Sequence, residues 1–211
     1  SEQQKLAPLR ADVRFLGELL GQVLQRQEGA ALFAVEERIR RMAITARRSQ
    51  GGDAALRRAL ATLPLPLAER IIRAFSVYFQ LVNIAEESHR IRRKRHYQSL
   101  PGAHPQRGSI EALVHRLRGA GVPFETVARQ LQELSITLVL TAHPTQALPP
   151  TILTKHRAIW DLLMKRQLLH PTSKEEQALA RELLEQVMSL WQTDELRPAR
   201  ERFLNNLTEL A

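Results

Sequence analysis

The sequence contains no cysteine, so it has neither a disulfide framework nor thiolate chemistry, and a cytoplasmic location is the expectation. Aromatic residues make up only 5% of the chain, too few to suggest a stacking platform for nucleic acid. No apolar run approaches the ~20 residues of a membrane span, and the N-terminus shows no signal-peptide pattern. Internal repeats and low-complexity segments are absent as well. Strand-like sequence is nearly absent, being confined to one short stretch after residue 134.

What is present fits a soluble globular protein: 211 residues, 44% hydrophobic and 25% charged, enough to bury a core in one or two domains. The net charge of +9 is unevenly placed. Residues 1–134 carry 22 Lys/Arg against 13 Asp/Glu, whereas residues 135–211 carry 9 against 9. A domain boundary is therefore expected near Ser135, with a basic all-helical region 1–134 followed by a region 135–211 of a strand plus helices.

Apolar residues recur at helical steps along most of the chain. Leu9, Val13, Leu16, Leu20 and Val23 predict a helix from Pro8 to about Gln27, and Leu32, Val35, Ile39, Met42 and Ala46 a second. Gly29 separates them. The loop Ser49–Asp53 leads to a short helix over Ala54–Ala61. Pro64 and Pro66 open the longest helix, to about Arg95, with a wide stripe of Leu67, Ile71, Phe75, Tyr78, Val82, Ala85 and His89, flanked by Ile72, Phe79 and Leu81. Helices follow at about Ser109–Arg118, Pro123–Glu133, Pro149–Leu168, Ser173–Gln192 and Pro198–Leu210. Ser173 and Glu176 have the spacing of a capping box.

The exception is Ser135–Thr141, where Ile136, Leu138 and Leu140 alternate with Thr137, Val139 and Thr141. A short, largely buried strand is predicted, and it needs a partner from another copy or from strands outside this chain. Pro144 ends it and holds His143 extended at its C-terminal end. Thr141 and Thr145 place hydroxyls beside the imidazole, and Pro149-Pro150 suit the first turn of a helix. A strand end, an imidazole, hydroxyls and a helix N-terminus suit an anionic ligand. A core or capping histidine is the alternative.

The stretch Thr141-Ala142-His143-Pro144-Thr145-Gln146, with Thr154-Lys155-His156 after it, resembles the TAHPT signature of the phosphoenolpyruvate carboxylase family. Arg73-Ala74-Phe75 through Asn83-Ile84-Ala85-Glu86-Glu87-Ser88-His89-Arg90-Ile91 resembles that family's long N-terminal helix. Leu190-Trp191-Gln192-Thr193-Asp194-Glu195-Leu196-Arg197 resembles its LWxTDE(I/L)R stretch. The resemblance implies a mainly α chain, a helical part leading into the first strand and helices of an α/β barrel, with the active site at the C-terminal strand ends. It implies carboxylation of phosphoenolpyruvate by bicarbonate to oxaloacetate and phosphate, with Mg2+ or Mn2+ whose ligands lie beyond the matched segments. His143 then corresponds to the histidine that holds carboxyphosphate and takes its proton as CO2 leaves, a role suited to an imidazole titrating near neutrality. Thr141 and Thr145 are weaker substrate-binding candidates. A homo-oligomer is expected of the whole enzyme, and neither membrane nor nucleic acid is an expected partner. One departure stands out: Pro149 and Pro150 occupy positions where the family has basic residues, so a bidentate partner for phosphate or carboxylate is lost.

Other candidates have blander readings. Arg90, Arg92, Arg93, Lys94 and Arg95 suit a solvated helix end favoured by the helix dipole. His89, His96, His104 and His115 lack metal-ligand spacing. Asp194 and Glu195, adjacent on a helix, suit an ion pair with Arg197. The function expected is thus the N-terminal part of a phosphoenolpyruvate carboxylase, inactive by itself. The alternative is a non-catalytic, truncated relative acting as a helical interaction module, and a third reading is a basic nucleic-acid binder.

Overall fold

A computed structural model of the chain describes residues 2–48, 53–99, 105, 108–139, 148–168 and 171–193. Among them are eight helices: α1 (Glu2–Glu28), α2 (Ala30–Arg48), α3 (Asp53–Ala61), α4 (Leu65–Ser99), α5 (Ile110–Gly119), α6 (Phe124–Glu133), α7 (Pro150–Leu168) and α8 (Ser173–Trp191). The chain divides into two compact units, Ser1–Ser88 with Leu148–Ala211, and His89–Ala147. None of the described helices is long and apolar enough to cross a membrane. The helix expected at Pro198–Leu210 lies outside the described residues.

The first unit is built on α1, residues 65–88 of α4, α7 and α8. Each contributes one apolar seam to a common core: Leu16, Leu20, Val23 and Leu24 from α1, Ile159 and Leu163 from α7, Leu183, Val187 and Leu190 from α8. These are the three- and four-residue steps that put side chains on one helix face. Gly29, at φ 86°, turns the chain from α1 into α2, a conformation that a side-chain-bearing residue rarely adopts.

Two details differ from the sequence expectation. Helix α1 starts at Glu2 and runs through Pro8. In α4 the seam against the core is Ala74, Val77, Leu81, Ile84 and Ala85, continued by buried Ser88. Ile72 and Phe79, expected to widen the buried stripe, are exposed. Ala74, Ala85 and Ser88 are buried although their side chains are small, and hydrophobicity alone does not reveal that choice.

Polar side chains tie the helices together. Gln167 of α7 donates to Asp12 of α1 at 3.0 Å and accepts from Ser88 of α4 at 3.1 Å. Asp12 and Ser88 are both buried, so these bonds offset the cost of removing polar groups from water. The N-terminus of α8 uses a capping box one residue earlier than expected: the Thr172 hydroxyl accepts from the Glu175 amide, and the Glu175 carboxylate accepts from the Thr172 amide at 2.8 Å. The Glu175 carboxyl is held below its ordinary value chiefly by that backbone hydrogen bond and then by the Thr172 hydroxyl. Glu176 is thereby left to pair with Arg166 of α7 at 2.6 Å, and Arg166 also lies over the Phe15 ring at 4.1 Å. Two overlapping Ser/Thr-x-x-Glu frames exist in the sequence, and the ion pair to α7 favours the first.

In the second unit, Ser109 caps α5 by accepting from the Ala112 amide at 3.1 Å. Gly121, at φ 67°, turns the chain toward Pro123, which opens α6. Neither α5 nor α6 buries a residue. The predicted strand is corrected here. Residues 135–139 form no ladder, and Ile136, Leu138 and Val139 are 76%, 81% and 79% exposed. A strand exists only with a partner edge, and the described residues, whose regular structure is all helical, offer none. The mainly helical expectation holds, while the barrel strand is not formed among the described residues. Leu140 and Thr141 lie outside them.

Candidate functional site

His143, Thr141 and Thr145 lie outside the described residues, as do Asp194, Glu195 and Arg197. What the structure describes is the platform that receives the motif's C-terminal flank. The chain returns at Leu148, which packs on the core of the first unit. The Pro149 carbonyl accepts from the amides of Ile152 at 2.9 Å and Leu153 at 3.2 Å, so α7 begins at Pro150 as the two prolines predict. The positions that carry basic residues in the resembled family are thus spent on starting a helix.

Thr154, Lys155 and His156 follow one turn later, each about 100° further round the helix. Thr154 donates to the Pro150 carbonyl at 3.0 Å. Lys155 reaches across to the Ser189 hydroxyl of α8. His156 Nε2 lies 2.7 Å from Gln80 Oε1 of α4. Three consecutive side chains therefore anchor α7 to itself, to α8 and to α4.

The C-terminus of α8 is held from the other side. Arg73 of α4 donates to the carbonyls of Trp191 and Thr193, the latter at 3.2 Å, and its guanidinium lies 5.1 Å from the Trp191 ring centroid. A guanidinium there satisfies carbonyls that have no partner within the helix and meets the negative end of its dipole. Trp191 Nε1 donates to Glu28 at 3.3 Å, and Glu28 pairs with Arg70 at 2.9 Å. The Thr193 hydroxyl donates to the Ser189 carbonyl at 2.7 Å. The result is a closed circuit from Arg73 through Thr193, Ser189, Lys155, His156 and Gln80 back to α4. It joins the three segments singled out by sequence, bridging 120 residues from Arg73 to Thr193.

Beside the His156–Gln80 contact is a cleft of about 550 Å³, lined by Gln80, Asn83 and Glu87 of α4 and by His156, Arg157, Trp160 and Asp161 of α7, together with the apolar Ile84, Leu148 and Leu153. Trp160 Nε1 is buried without a hydrogen-bond partner among the described residues. A second cleft, of about 990 Å³, lies on α1, α2 and α4 and includes Glu36, Glu37, Arg40 and Tyr78. Burial, reinforced by Glu37 and opposed by Arg40, pushes the Glu36 carboxyl up. The hydrogen bond from Arg40 at 2.7 Å holds Glu37 down.

The residues missed from sequence are Gln80, Ser189 and Trp160, none of which carries a local motif that would single it out. Among the described residues no group of three or more His, Cys, Asp and Glu side chains could hold a metal ion. The described residues therefore do not fit the divalent cation that the resemblance implies, and no step is assigned to it.

A family model described as phosphoenolpyruvate carboxylase matches residues 9–209. The chain is similar to a protein of Alcanivorax borkumensis named phosphoenolpyruvate carboxylase, with 38% identity over 194 residues, 90% of this chain and 22% of the relative. It is similar to proteins of the same name from Chromobacterium violaceum, 38% identical with 93% of this chain and 21% of the relative covered, and from Azoarcus sp., 40% identical with 93% and 22% covered. The chain spans about a fifth of the length of these relatives.

Proposed function

The chain belongs to the phosphoenolpyruvate carboxylase family, and we propose that it forms the N-terminal part of a cytoplasmic, homo-oligomeric enzyme that joins phosphoenolpyruvate and bicarbonate to give oxaloacetate and phosphate. The observation that carries this reading is the family match from residue 9 to residue 209, which includes the Thr141–Gln146 signature in its expected order. Residues 1–134 are the basic helical region and residues 135–211 the region that presents the histidine motif.

In this reading the phosphoryl group of phosphoenolpyruvate passes to bicarbonate, leaving the enolate of pyruvate and carboxyphosphate. His143 holds carboxyphosphate and accepts its carboxyl proton as the C–O bond breaks to give CO2 and phosphate. The enolate carbon then forms the new C–C bond with CO2, which gives oxaloacetate. The hydroxyls of Thr141 and Thr145 donate to anionic oxygens. The circuit around Lys155 and His156 supports the role of a rigid platform, because positional errors of an ångström in a catalytic group are costly.

The chain by itself does not complete this chemistry. Both intermediates are anionic and need several preorganised cationic donors, of which the signature here has lost its basic pair to Pro149 and Pro150. Losing one such donor costs about a hundredfold or more in rate. The test is a coupled oxaloacetate assay with phosphoenolpyruvate, bicarbonate and Mg2+. No turnover is expected from the chain alone, and turnover that depends on His143 is expected once the C-terminal part of a relative is supplied. Activity of the chain alone that vanishes in His143→Asn would refute its incompleteness. Restored activity that survives His143→Asn would refute the role of the histidine.

A further inference from the structure

Helix α4 turns one apolar face to the core and a second to solvent. Leu65, Ile72 and Phe79 follow at steps of seven and are 72%, 69% and 56% exposed. Ala68 and Phe75, half-buried, fall between them. Spacing of this kind, apolar at alternating three- and four-residue steps, forms a seam for another helix. Nothing among the described residues covers it.

The seam leads into the cleft on α4 and α7. Asn83, one turn beyond Phe79, lines that cleft, and Leu153, 53% exposed, stands at its edge. Trp160, partly exposed, forms part of its wall. An exposed apolar seam that runs into an open cleft is the kind of surface that another surface covers. The rim is of mixed charge, Glu87 and Asp161 with Arg157, which does not suit a polyanion.

We propose that this surface, the Leu65–Ile72–Phe79 seam with the adjoining Trp160 cleft, seats an amphipathic helix from the remaining part of a phosphoenolpyruvate carboxylase polypeptide. The inference rests on the reading of the chain as an N-terminal part. Two observations select that occupant. The chain accounts for only 22% of the length of its relative, so about four fifths of the family's polypeptide is available to cover it. The cleft is also lined by Leu148, which follows the signature ending at Gln146 by two residues in the sequence, so this surface adjoins along the chain the motif that the rest of the enzyme completes.

The experiment is sedimentation velocity of the 211-residue chain mixed with the part of the Alcanivorax borkumensis relative that follows the matched region. The unaltered chain is expected to bind in one-to-one ratio. Ile72→Glu and Phe79→Glu are each expected to weaken binding tenfold or more. Arg47→Glu, on the exposed side of α2, is expected to leave binding unchanged. Because Ile72 and Phe79 are exposed, circular dichroism and thermal midpoints of both variants should match the parent, which separates lost binding from lost folding. Binding that survives both glutamate substitutions overturns the docking surface and leaves the N-terminal reading intact. Failure of the unaltered chain to bind overturns both. A dimer of the chain alone that Ile72→Glu and Phe79→Glu dissociate overturns the proposed occupant in favour of a second copy.

Discussion

Arg73→Ala isolates the clasp that holds the end of α8. The wild-type guanidinium donates to two carbonyls, those of Trp191 and Thr193, and lies over the Trp191 ring. Hydrogen bonds from a charged donor contribute about 1.5–3 kcal/mol when well buried, and a partly exposed cation–π contact about 0.5–1 kcal/mol. Arg73 is half-buried, so the bonds are discounted for solvent screening, and the expected total loss is about 2–3 kcal/mol. For a chain of this size that corresponds to a fall in midpoint of about 5–10 °C. Arg73→Lys keeps the charge but loses the fork and the planar stacking, and should lose about half as much. Thermal denaturation followed by circular dichroism reads the midpoint, and hydrogen exchange reads the site. The amides of Gln192 and Thr193, bonded at 3.0 and 3.1 Å to Met188 and Leu190, should lose protection before the rest of α8. A midpoint within about 1 °C of the parent, or equal midpoints for the lysine and alanine variants, would refute the clasp.

Two further outcomes follow from local geometry. Thr172→Ala should cost about 1 kcal/mol in urea denaturation whereas Ser173→Ala should be nearly neutral, because Thr172 makes the capping bonds; the reverse order would restore the frame expected from sequence. The lowered Glu175 pKa adds a stabilising term that is complete above the ordinary value of 4.5 and is lost as pH falls through the lowered folded value, so the cost of Thr172→Ala should shrink in acid. For Glu36 the sign is opposite: its raised pKa means that the charged carboxylate opposes folding at neutral pH, and the penalty disappears below 4.5, where both states are protonated. Glu36→Gln should therefore raise the thermal midpoint at about pH 7 and match the parent at about pH 3.5; a midpoint lowered at pH 7 would contradict the burial of that carboxylate.

The positions of seven of the eight described helices were readable to within a few residues, since apolar residues at three- and four-residue steps and proline or glycine punctuation are properties of the chain itself. The start of α1 was the exception. The resemblance to a carboxylase family was also legible, because it rests on contiguous residues. The partnerships among those residues were not. Lys155, His156, Arg73 and Trp191 stood out as motif members, yet nothing local named Ser189, Gln80 or Glu28 as their partners. The overlapping capping frames at Thr172 and Ser173 are equal as local patterns, and Arg166 on another helix distinguishes them by engaging Glu176. Likewise α4 carries two apolar faces, and only packing shows that Ala74, Val77 and Leu81 face inward while Ile72 and Phe79 do not. The alternation at Ser135–Val139 is a strand pattern without a strand, for a ladder is a property of two edges and the described residues supply no second one. Periodicity belongs to the single helix or strand; register, seam and hydrogen-bond partner belong to pairs of elements, and so are decided only when the chain folds.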